Sequence, residues 1–404
     1  MTTMTDPPKA SFRLSMLVYD TRYRSLTFQA LAAVALALSF LYLGSNLINN
    51  LRAAGLNISY SFLGAPAGYD INQTLIEYDS QSSNARAAVV GLINTLIVAF
   101  LACITATVFG VIAGVLRLSN NWLVSKLMAL YVEIFRNIPV LIWIIIIFTI
   151  MTAVMPAPRA FRGDEPEASM LFDAIAFTNR GVYIPAPVWG PGSMMVVATF
   201  IASIIGIFAY RRYATNLLYA TGRLLPTTWP TIALLIVPSV LMFFIMGQPI
   251  GLDTPALKGF NFQGGIKVGG PLIALWFALS IYTGAFIAEN VRAGIQAVSK
   301  GQTEAAAALG LRPRRVMNLV VLPQALRVII PPLISQYLNI TKNSSLAIAV
   351  GYADITATLG GITLNQTGRA IECVLLLMLF YLTISLCISA FMNVYNNAIK
   401  LKER

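Results

Sequence analysis

The chain has 404 residues, of which 57% are hydrophobic and 11% are charged, and its mean hydropathy is +0.73. A soluble domain carries about 25% charged residues, so this composition excludes an ordinary soluble fold and favours a membrane protein. The formal charge of +12 does not indicate nucleic-acid binding, because the basic residues lie mainly at the ends of apolar runs.

Eight apolar runs are long enough to cross a bilayer as helices. The first follows a polar lead of 24 residues and has no Ala-x-Ala cleavage site, so we expect it to be a retained span rather than a signal peptide. The sequence therefore predicts an all-α integral membrane protein with about eight transmembrane helices. The runs lie near 25–48, 88–116, 127–153, 193–210, 228–248, 270–290, 330–352 and 371–396.

The distribution of Lys and Arg predicts that both termini are cytoplasmic. With the N-terminus inside, the outer segments, including the long loops 49–87 and 154–192, hold most of the acids, such as Asp70, Asp79 and Asp164. The basic residues of the inner segments are Arg13, Arg22, Arg24, Arg117, Lys126, Arg211, Arg212, Arg223, Arg292, Lys300, Arg312, Arg314, Arg315, Arg327 and those of the tail from Lys400 to Arg404.

Sites of enzymatic chemistry are sparse in this sequence. It contains no histidine, and its three cysteines, Cys103, Cys373 and Cys387, lie inside apolar runs without paired spacing, so we expect packing residues rather than a disulfide or a metal site. There is no GxxxxGK[ST] phosphate-binding loop, so the chain is not expected to hydrolyse ATP. We predict a membrane protein that is not itself an enzyme and has no cofactor of its own.

The inner stretch between the sixth and seventh runs contains an alanine-rich segment with high helix propensity, from Gln302 to Leu309. Thr303 is suited to cap its start, and Gly310 is suited to a left-handed residue at its end. A short helix on the inner surface is predicted, with Glu304 and a cluster of arginines available for charged contacts. The arginines are Arg312, Arg314 and Arg315. After them, the residues predicted to pack against the bundle are Val316, Leu319, Val320 and Leu322.

This stretch resembles the EAA loop of the membrane subunits of ATP-binding-cassette importers. That loop reads Glu-Ala-Ala, three residues, Gly, nine residues, Ile, one residue, Leu-Pro, and Val320 stands here for the usual Ile. The resemblance implies that the helix docks into a cleft on a nucleotide-binding subunit, which uses ATP and Mg²⁺ and drives motion in the membrane. The matching residues are Glu304, Ala305, Ala306, Gly310, Leu322 and Pro323.

Four further segments resemble the polar amino-acid branch of these importers, closest to the broad-range general L-amino-acid permeases. The departures are Ile138 for Thr, Ala293 for Gly, Asn343 for an acid and Ser344 for Thr. The resemblance implies a five-helix permease core, a second permease subunit, identical or different, and an external solute-binding protein for L-amino acids. The segments are 91–96, 131–139, 284–295 and 341–346.

The expected organisation places this core at 88–155 and 266–396, with the coupling loop at 296–328. The additions would be 1–87, with the extra first span, and 156–265, with two extra spans. The tail 397–404 would be cytoplasmic. The expected location is the bacterial inner membrane, in contact with lipid.

Polar residues inside the predicted spans mark a candidate substrate path, because charges in lipid are costly. Lys342 would lie near the bilayer midplane if its helix began near 330, and the polar residues beside it permit a locally broken helix. A lysine with amide and hydroxyl groups suits the carboxylate and ammonium of an amino acid, and the alternative is a packing or gating lysine. The candidates are Lys342, Asn343, Ser344, Ser345, Asn94, Glu133 and Arg136.

Charged pairs three residues apart predict local ion pairs. Glu133 and Arg136 would form one, with contact to substrate or a gate as the alternative, and Pro139 would kink the helix just beyond them. Glu289 and Arg292 would form another.

The main competing function is a secondary transporter driven by an ion gradient, but the inverted repeats and acidic chains typical of that class are not evident.

Overall fold

The structure is a computed structural model that describes residues 15–55, 57–163 and 165–399. The predictions for Arg13, Asp164 and the tail from Lys400 to Arg404 lie outside the described residues, as does the side chain of Arg22. The chain divides into two compact units, Met1–Ser61 and Phe62–Arg404.

The first unit contains a short helix α1 (Met16–Tyr19) and the long helix α2 (Thr21–Ala53). The 31 residues from Tyr23 to Ala53 are apolar enough to cross a membrane, and none of the apolar window is buried. A helix that is hydrophobic on all sides and unburied by protein suits a lipid environment. This agrees with the predicted first span.

The core of the second unit is a bundle of four helices: α3 (Asn84–Leu116), α5 (Val140–Ala153), α8 (Gly270–Gln296) and α11 (Leu322–Asn343). α3 begins at Ser83, whose hydroxyl accepts the N–H of Arg86 as an N-cap. α3 and α8 pack most closely, because small residues line the contact. Cys103 packs against this core and Cys373 in a second apolar cluster, as predicted, whereas Cys387 is exposed.

The predicted span 127–153 is a broken pair of helices, not one kinked helix. α4 (Trp122–Asn137) and α5 meet at an angle of 105°. Ile138 is extended, as a residue before proline prefers, and Pro139 has no N–H to continue the helix. The rings of Phe135 and Trp143 stack across the break with centroids 4.1 Å apart, so aromatic packing supports the bend.

The seventh span also differs from its predicted bounds. Lys300–Ala308 forms α9, Pro313–Val316 forms α10, and a π-helical turn at Met317–Val321 leads into α11. After α11 the chain forms a 3-10 helix at Ser344–Val350 and turns at Gly351, whose φ is +72°. A π-helix at Thr356–Thr363, α12 (Leu364–Thr367) and α13 (Ala370–Ile399) complete the fold.

Seven short β-strands were not predicted from the sequence. β1 (Ala176–Thr178), β2 (Gly181–Ile184) and β7 (Ile266–Gly269) form an antiparallel sheet in the order β1-β2-β7, and Tyr183 is buried beneath it. We call residues 176–189 and 250–269 the strand region. Two ribbons complete it: β3 (Ala186–Trp189) with β4 (Ile250–Asp253), and β5 (Ala256–Lys258) with β6 (Asn261–Gln263).

Between β3 and β4 the chain forms a helical hairpin of α6 (Ser193–Thr221) and α7 (Thr228–Ile245), which pack against each other. Both are long and apolar enough to cross a membrane. In the described part of the chain seven helices meet this criterion, and the α4–α5 pair makes eight. The predicted all-α membrane fold is confirmed in class. The bundle has an α9 end, where α3 and α8 finish, and a strand end, where they begin.

Candidate functional site

The α9 end carries the predicted surface helix, with its boundaries shifted. α9 starts at Lys300 with Ser299 as N-cap, so Thr303 does not cap it; the Thr303 hydroxyl donates instead to the carbonyl of Lys300 at 2.7 Å. Gly310 has a φ of +75°, the left-handed conformation predicted for it. The predicted helix therefore exists, and it begins two residues before Gln302 and ends one residue before Leu309.

α9 has one buried face and one exposed face. Ala306 is buried against Val316 and Val321, whereas Glu304 and Ala305 are exposed. Ile295 at the end of α8 packs against the same cluster. α9 is therefore in direct apolar contact with the end of α8 and with the π-turn before α11.

The predicted packing face beyond α9 is partly wrong. Val316 is buried and Val320 is half-buried, but Leu319 is 64% exposed and Leu322 is 41% exposed, while Val321 takes the inward position. The π-helical turn inserts an extra residue per turn, which rotates the following side chains around the axis. The matched residue Pro323 is half-buried at the start of α11. The arginines predicted for charged contacts, Arg312, Arg314 and Arg315, are exposed.

Lys342 lies in the last turn of α11 and is exposed. Because the helix begins at Leu322, Lys342 is about 30 Å along the axis from its start. The helix start near 330 that the predicted midplane depth assumed is therefore wrong, and the depth of Lys342 itself stays a prediction. The position suits a cation, because the C-terminal end of a helix carries partial negative charge.

The polar residues after Lys342 permit a locally broken helix, and here the α-helix changes to a 3-10 helix after Asn343. Two serine hydroxyls donate hydrogen bonds at this change. The hydroxyl of Ser344 donates to the carbonyl of Thr341 at 2.7 Å, and that of Ser345 donates to the carbonyl of Lys342 at 2.7 Å. Ser344 is buried and Asn343 is half-buried. In this conformation both serine hydroxyl protons are used by the helix itself.

Asn94 is buried in α3 and joins two distant segments. Its amide donates to the carbonyl of Gln73 at 3.0 Å and to that of Ala353 at 2.9 Å. The hydroxyl of Tyr352 donates to the carbonyl of Asn94 at 3.2 Å. Asn94 therefore positions the turn that follows the broken helix.

The loop before α3 is braced by two tyrosines outside the spans. The hydroxyl of Tyr78 donates to the carbonyl of Tyr69 at 2.8 Å, and that of Tyr69 lies 3.2 Å from the hydroxyl of Thr363. Burial raises the pKa of Tyr69, and burial with nearby negative groups raises the pKa of Tyr78 to about 12. Both hydroxyls therefore remain neutral at physiological pH.

At the α9 end, three charged residues from two helices form a network. Glu289 pairs with Arg292, as predicted, and also with Arg117 at the end of α3. The guanidinium of Arg292 also donates to the amide oxygen of Gln296 at 2.5 Å. This network ties α3 to the part of α8 that leads into α9.

The predicted Glu133–Arg136 pair is wrong: no ion pair joins these two side chains in the described chain. Glu133 lies 3.9 Å from Arg117, at the edge of the same network. The guanidinium carbon of Arg136 lies 5.3 Å from the centre of the Phe286 ring, a cation–π arrangement. Glu133 also accepts a hydrogen bond from the side-chain amide of Asn137 on its own helix at 3.4 Å, whereas Arg136 turns to α8.

Comparison with known proteins gives one family and several full-length relatives. Residues 195–401 match the family described as binding-protein-dependent transport system inner membrane component. The chain is 51% identical, over 100% of both sequences, to the glutamate/glutamine/aspartate/asparagine transport system permease protein BztB of Rhodobacter capsulatus.

Two other relatives match over nearly their whole length. The chain is 44% identical to the general L-amino acid transport system permease protein AapQ of Rhizobium johnstonii, over 98% of this chain and 96% of that protein. It is also 44% identical to the putative amino-acid ABC transporter permease protein YhdX of Escherichia coli K12, over 98% and 99%. All three names describe permeases for amino acids.

Proposed function

Because this chain belongs to the family of binding-protein-dependent transport system inner membrane components, we propose that it is the permease subunit of an ATP-driven importer of L-amino acids in the bacterial inner membrane. The observation that carries the proposal is the 51% identity over the full length of both chains to a permease for acidic amino acids and their amides. The alternative of a transporter driven by an ion gradient has no support from this family.

The proposed partner at α9 is a nucleotide-binding subunit, which binds ATP and Mg²⁺. Glu304 and Ala305 offer an exposed, nearly flat surface, and the three exposed arginines after Gly310 offer positive charge. Small side chains allow close approach of a partner's groove, and the arginines suit carboxylates on its rim. The α9 end is therefore the proposed cytoplasmic side, with both termini cytoplasmic as the basic residues predict.

The proposed coupling runs from α9 into the bundle by packing alone. A displacement of α9 moves Ala306 against Val316 and Val321, and hence moves the start of α11. Ile295 in the same cluster carries the displacement to α8. The broken segment at Lys342–Ser345 is at the other end of α11, where a shift of that helix changes the exposure of polar groups.

The complete importer is proposed to contain a second permease, two nucleotide-binding subunits and an external solute-binding protein. Omission of each component tests this. Proteoliposomes containing all of them are expected to accumulate labelled glutamine, and omission of the solute-binding protein or of the nucleotide-binding subunit is expected to abolish accumulation. Full uptake without the solute-binding protein would contradict the proposed assembly.

Asn343 is proposed to influence the selectivity of the path. Replacing Asn343 with Asp places a negative charge beside Lys342, which is expected to shift preference toward cationic amino acids. The measurement is the ratio of labelled arginine uptake to glutamine uptake in proteoliposomes. An unchanged ratio would remove Asn343 from the proposed path and leave the permease assignment intact.

A further inference from the structure

A cavity of about 710 Å³ lies at the strand end of the bundle. Four segments distant in sequence line it: residues 70–73, the strand region with the start of α8, the turn after the 3-10 helix, and the π-helix with α12. Its volume falls within the range of about 300–1,000 Å³ typical of small-molecule sites. Neither the coupling loop nor Lys342 lines it.

The walls of this cavity are joined by hydrogen bonds, so it is formed before any ligand arrives. The amide of Asn94 holds Gln73 and Ala353 together through their carbonyls, at 3.0 and 2.9 Å. In the strand region, Gly181 pairs with Gly269. A Cβ added to Gly269 would lie 3.1 Å from Oε1 of Gln73, so the amide of Gln73 packs against this strand.

Three charged residues line the cavity: Arg180, Lys267 and Asp70. All three are exposed, and none belongs to an ion pair within the described ranges. One N–H of Arg180 donates to the carbonyl of Phe260 at 3.3 Å, which leaves its other donors available. The cavity therefore presents two cations and one anion.

The remaining lining combines amide groups with apolar groups. Asn72, Gln73 and Asn365 supply side-chain amides, and Ile348 and Ile362 supply an apolar wall. The amide nitrogen of Asn365 donates to the carbonyl of Gly361 at 2.9 Å, so its oxygen remains available as an acceptor. Convergent polar groups beside an apolar wall are typical of ligand sites.

We propose that this cavity binds an α-amino acid with a carboxylate in its side chain. The two carboxylates of such a ligand match Arg180 and Lys267, its ammonium matches Asp70, and its net charge of −1 offsets the +1 of the three residues. The side-chain amide analogue leaves one cation without an anionic partner and binds less tightly. This proposal rests on the proposed function and adds an entry site distinct from the Lys342 path.

The test measures equilibrium binding of labelled glutamate and glutamine to the assembled complex in nanodiscs, without ATP and without solute-binding protein. The wild-type complex is expected to prefer glutamate. Arg180→Gln and Lys267→Gln are each expected to weaken glutamate binding at least tenfold. Glutamine binding is expected to fall similarly in the variant that loses the cation for the shared α-carboxylate, and to change less than about threefold in the variant that loses the cation for the side-chain carboxylate. The matched control is Lys258→Gln, which removes an exposed cation of the strand region that does not line the cavity.

The ratio of glutamate to glutamine affinity decides the outcome. An unchanged ratio in both cavity variants, or an equal fall in Lys258→Gln, would overturn the proposal. Arg180→Lys keeps the charge and is expected to keep the preference, so loss of preference in that variant would also overturn it. ATP-driven glutamine uptake by a complex that does not bind glutamate would overturn this inference alone, whereas absence of any ATP-driven amino-acid uptake would overturn the proposed function itself.

Discussion

Glu289 holds two arginines from different helices, Arg117 on α3 and Arg292 on α8. All three side chains are partly buried, so their attraction is screened less than that of a surface pair. Removal of the shared carboxylate leaves two like charges next to each other. Glu289 is therefore the residue of the network whose loss has the largest effect.

We expect Glu289→Gln to lower the stability of the chain by about 1–3 kcal/mol, because two charged hydrogen-bond donors lose their anionic partner. Thermal unfolding of the detergent-solubilised complex measures this as a fall in Tm. The control is Glu167→Gln, because Glu167 is an exposed acid outside the helices. Equal Tm values for the two variants would show that the network does not stabilise the fold.

The sequence predicted only half of this network, and the reason is geometric. A spacing of three residues places Glu289 and Arg292 on one helical face, so their pair is predictable. The same spacing at Glu133 and Arg136 predicts a pair that does not form, because Arg117 and Phe286 come from other helices. Local spacing cannot rank a neighbour on the same helix against a partner brought close by the tertiary fold.

At the scale of elements, the contact between α3 and α8 depends on small residues. A Cβ at Gly110 would lie 2.5 Å from Cβ of Ile287, and one at Gly114 would lie 2.6 Å from the carbonyl oxygen of Ala288. The GxxxG spacing of Gly110 and Gly114 is typical of helices that approach each other closely in membranes. Because the two helix backbones approach closely, the helices make van der Waals contacts along their length, and this packing stabilises their association in the membrane.

Gly110→Ala is expected to destabilise the bundle by about 1–3 kcal/mol, because the added methyl group overlaps Ile287 and forces the helices apart. Gly206→Ala is the matched control: Gly206 is also inside a helix, and nothing lies within 4 Å of its added Cβ. Thermal unfolding should show a lower Tm for the first variant and an unchanged or slightly higher Tm for the second. The opposite order would contradict the packing described for α3 and α8.

Substitutions on the two faces of α9 are expected to have different effects, one on partner binding and the other on the stability of the chain. Ala305→Leu adds bulk on the exposed face, so the chain is expected to fold normally and to lose at least tenfold in affinity for the proposed nucleotide-binding subunit. Ala306→Leu adds bulk on the buried face and is expected to lower the Tm of the chain itself. Co-purification of the subunits and thermal unfolding measure the two effects. Normal partner binding by Ala305→Leu would exclude the exposed face as the docking surface.

Elements that follow from continuous apolar runs were predicted, and elements that depend on breaks were not. Pro139 indicated a kink, but not the angle of 105°, across which the rings of Phe135 and Trp143 stack. The strand region was not predicted because its strands have only three or four residues, which is too short to show an alternation of apolar and polar side chains.

At the scale of the whole molecule, the sequence predicted the surface helix of the expected coupling loop and missed the cavity at the strand end. The loop is contiguous, from Glu304 to Pro323, so its spacing is visible in the chain. The cavity collects Asp70, Arg180 and Lys267 from segments up to 197 residues apart, and only the tertiary fold brings them together. The pairing of β2 with β7 is the element that places Arg180 and Lys267 at one site.

The source of energy for transport tests the central claim most directly. The complete complex is reconstituted in proteoliposomes, and uptake of labelled glutamine is measured with ATP present on the side of the nucleotide-binding subunit, or with a proton or sodium gradient alone. We expect uptake with ATP in the absence of any ion gradient, and none with a gradient in the absence of ATP. Uptake driven by a gradient alone, or uptake that persists without the nucleotide-binding subunit, would contradict the assignment of this chain as the permease of an ATP-driven importer.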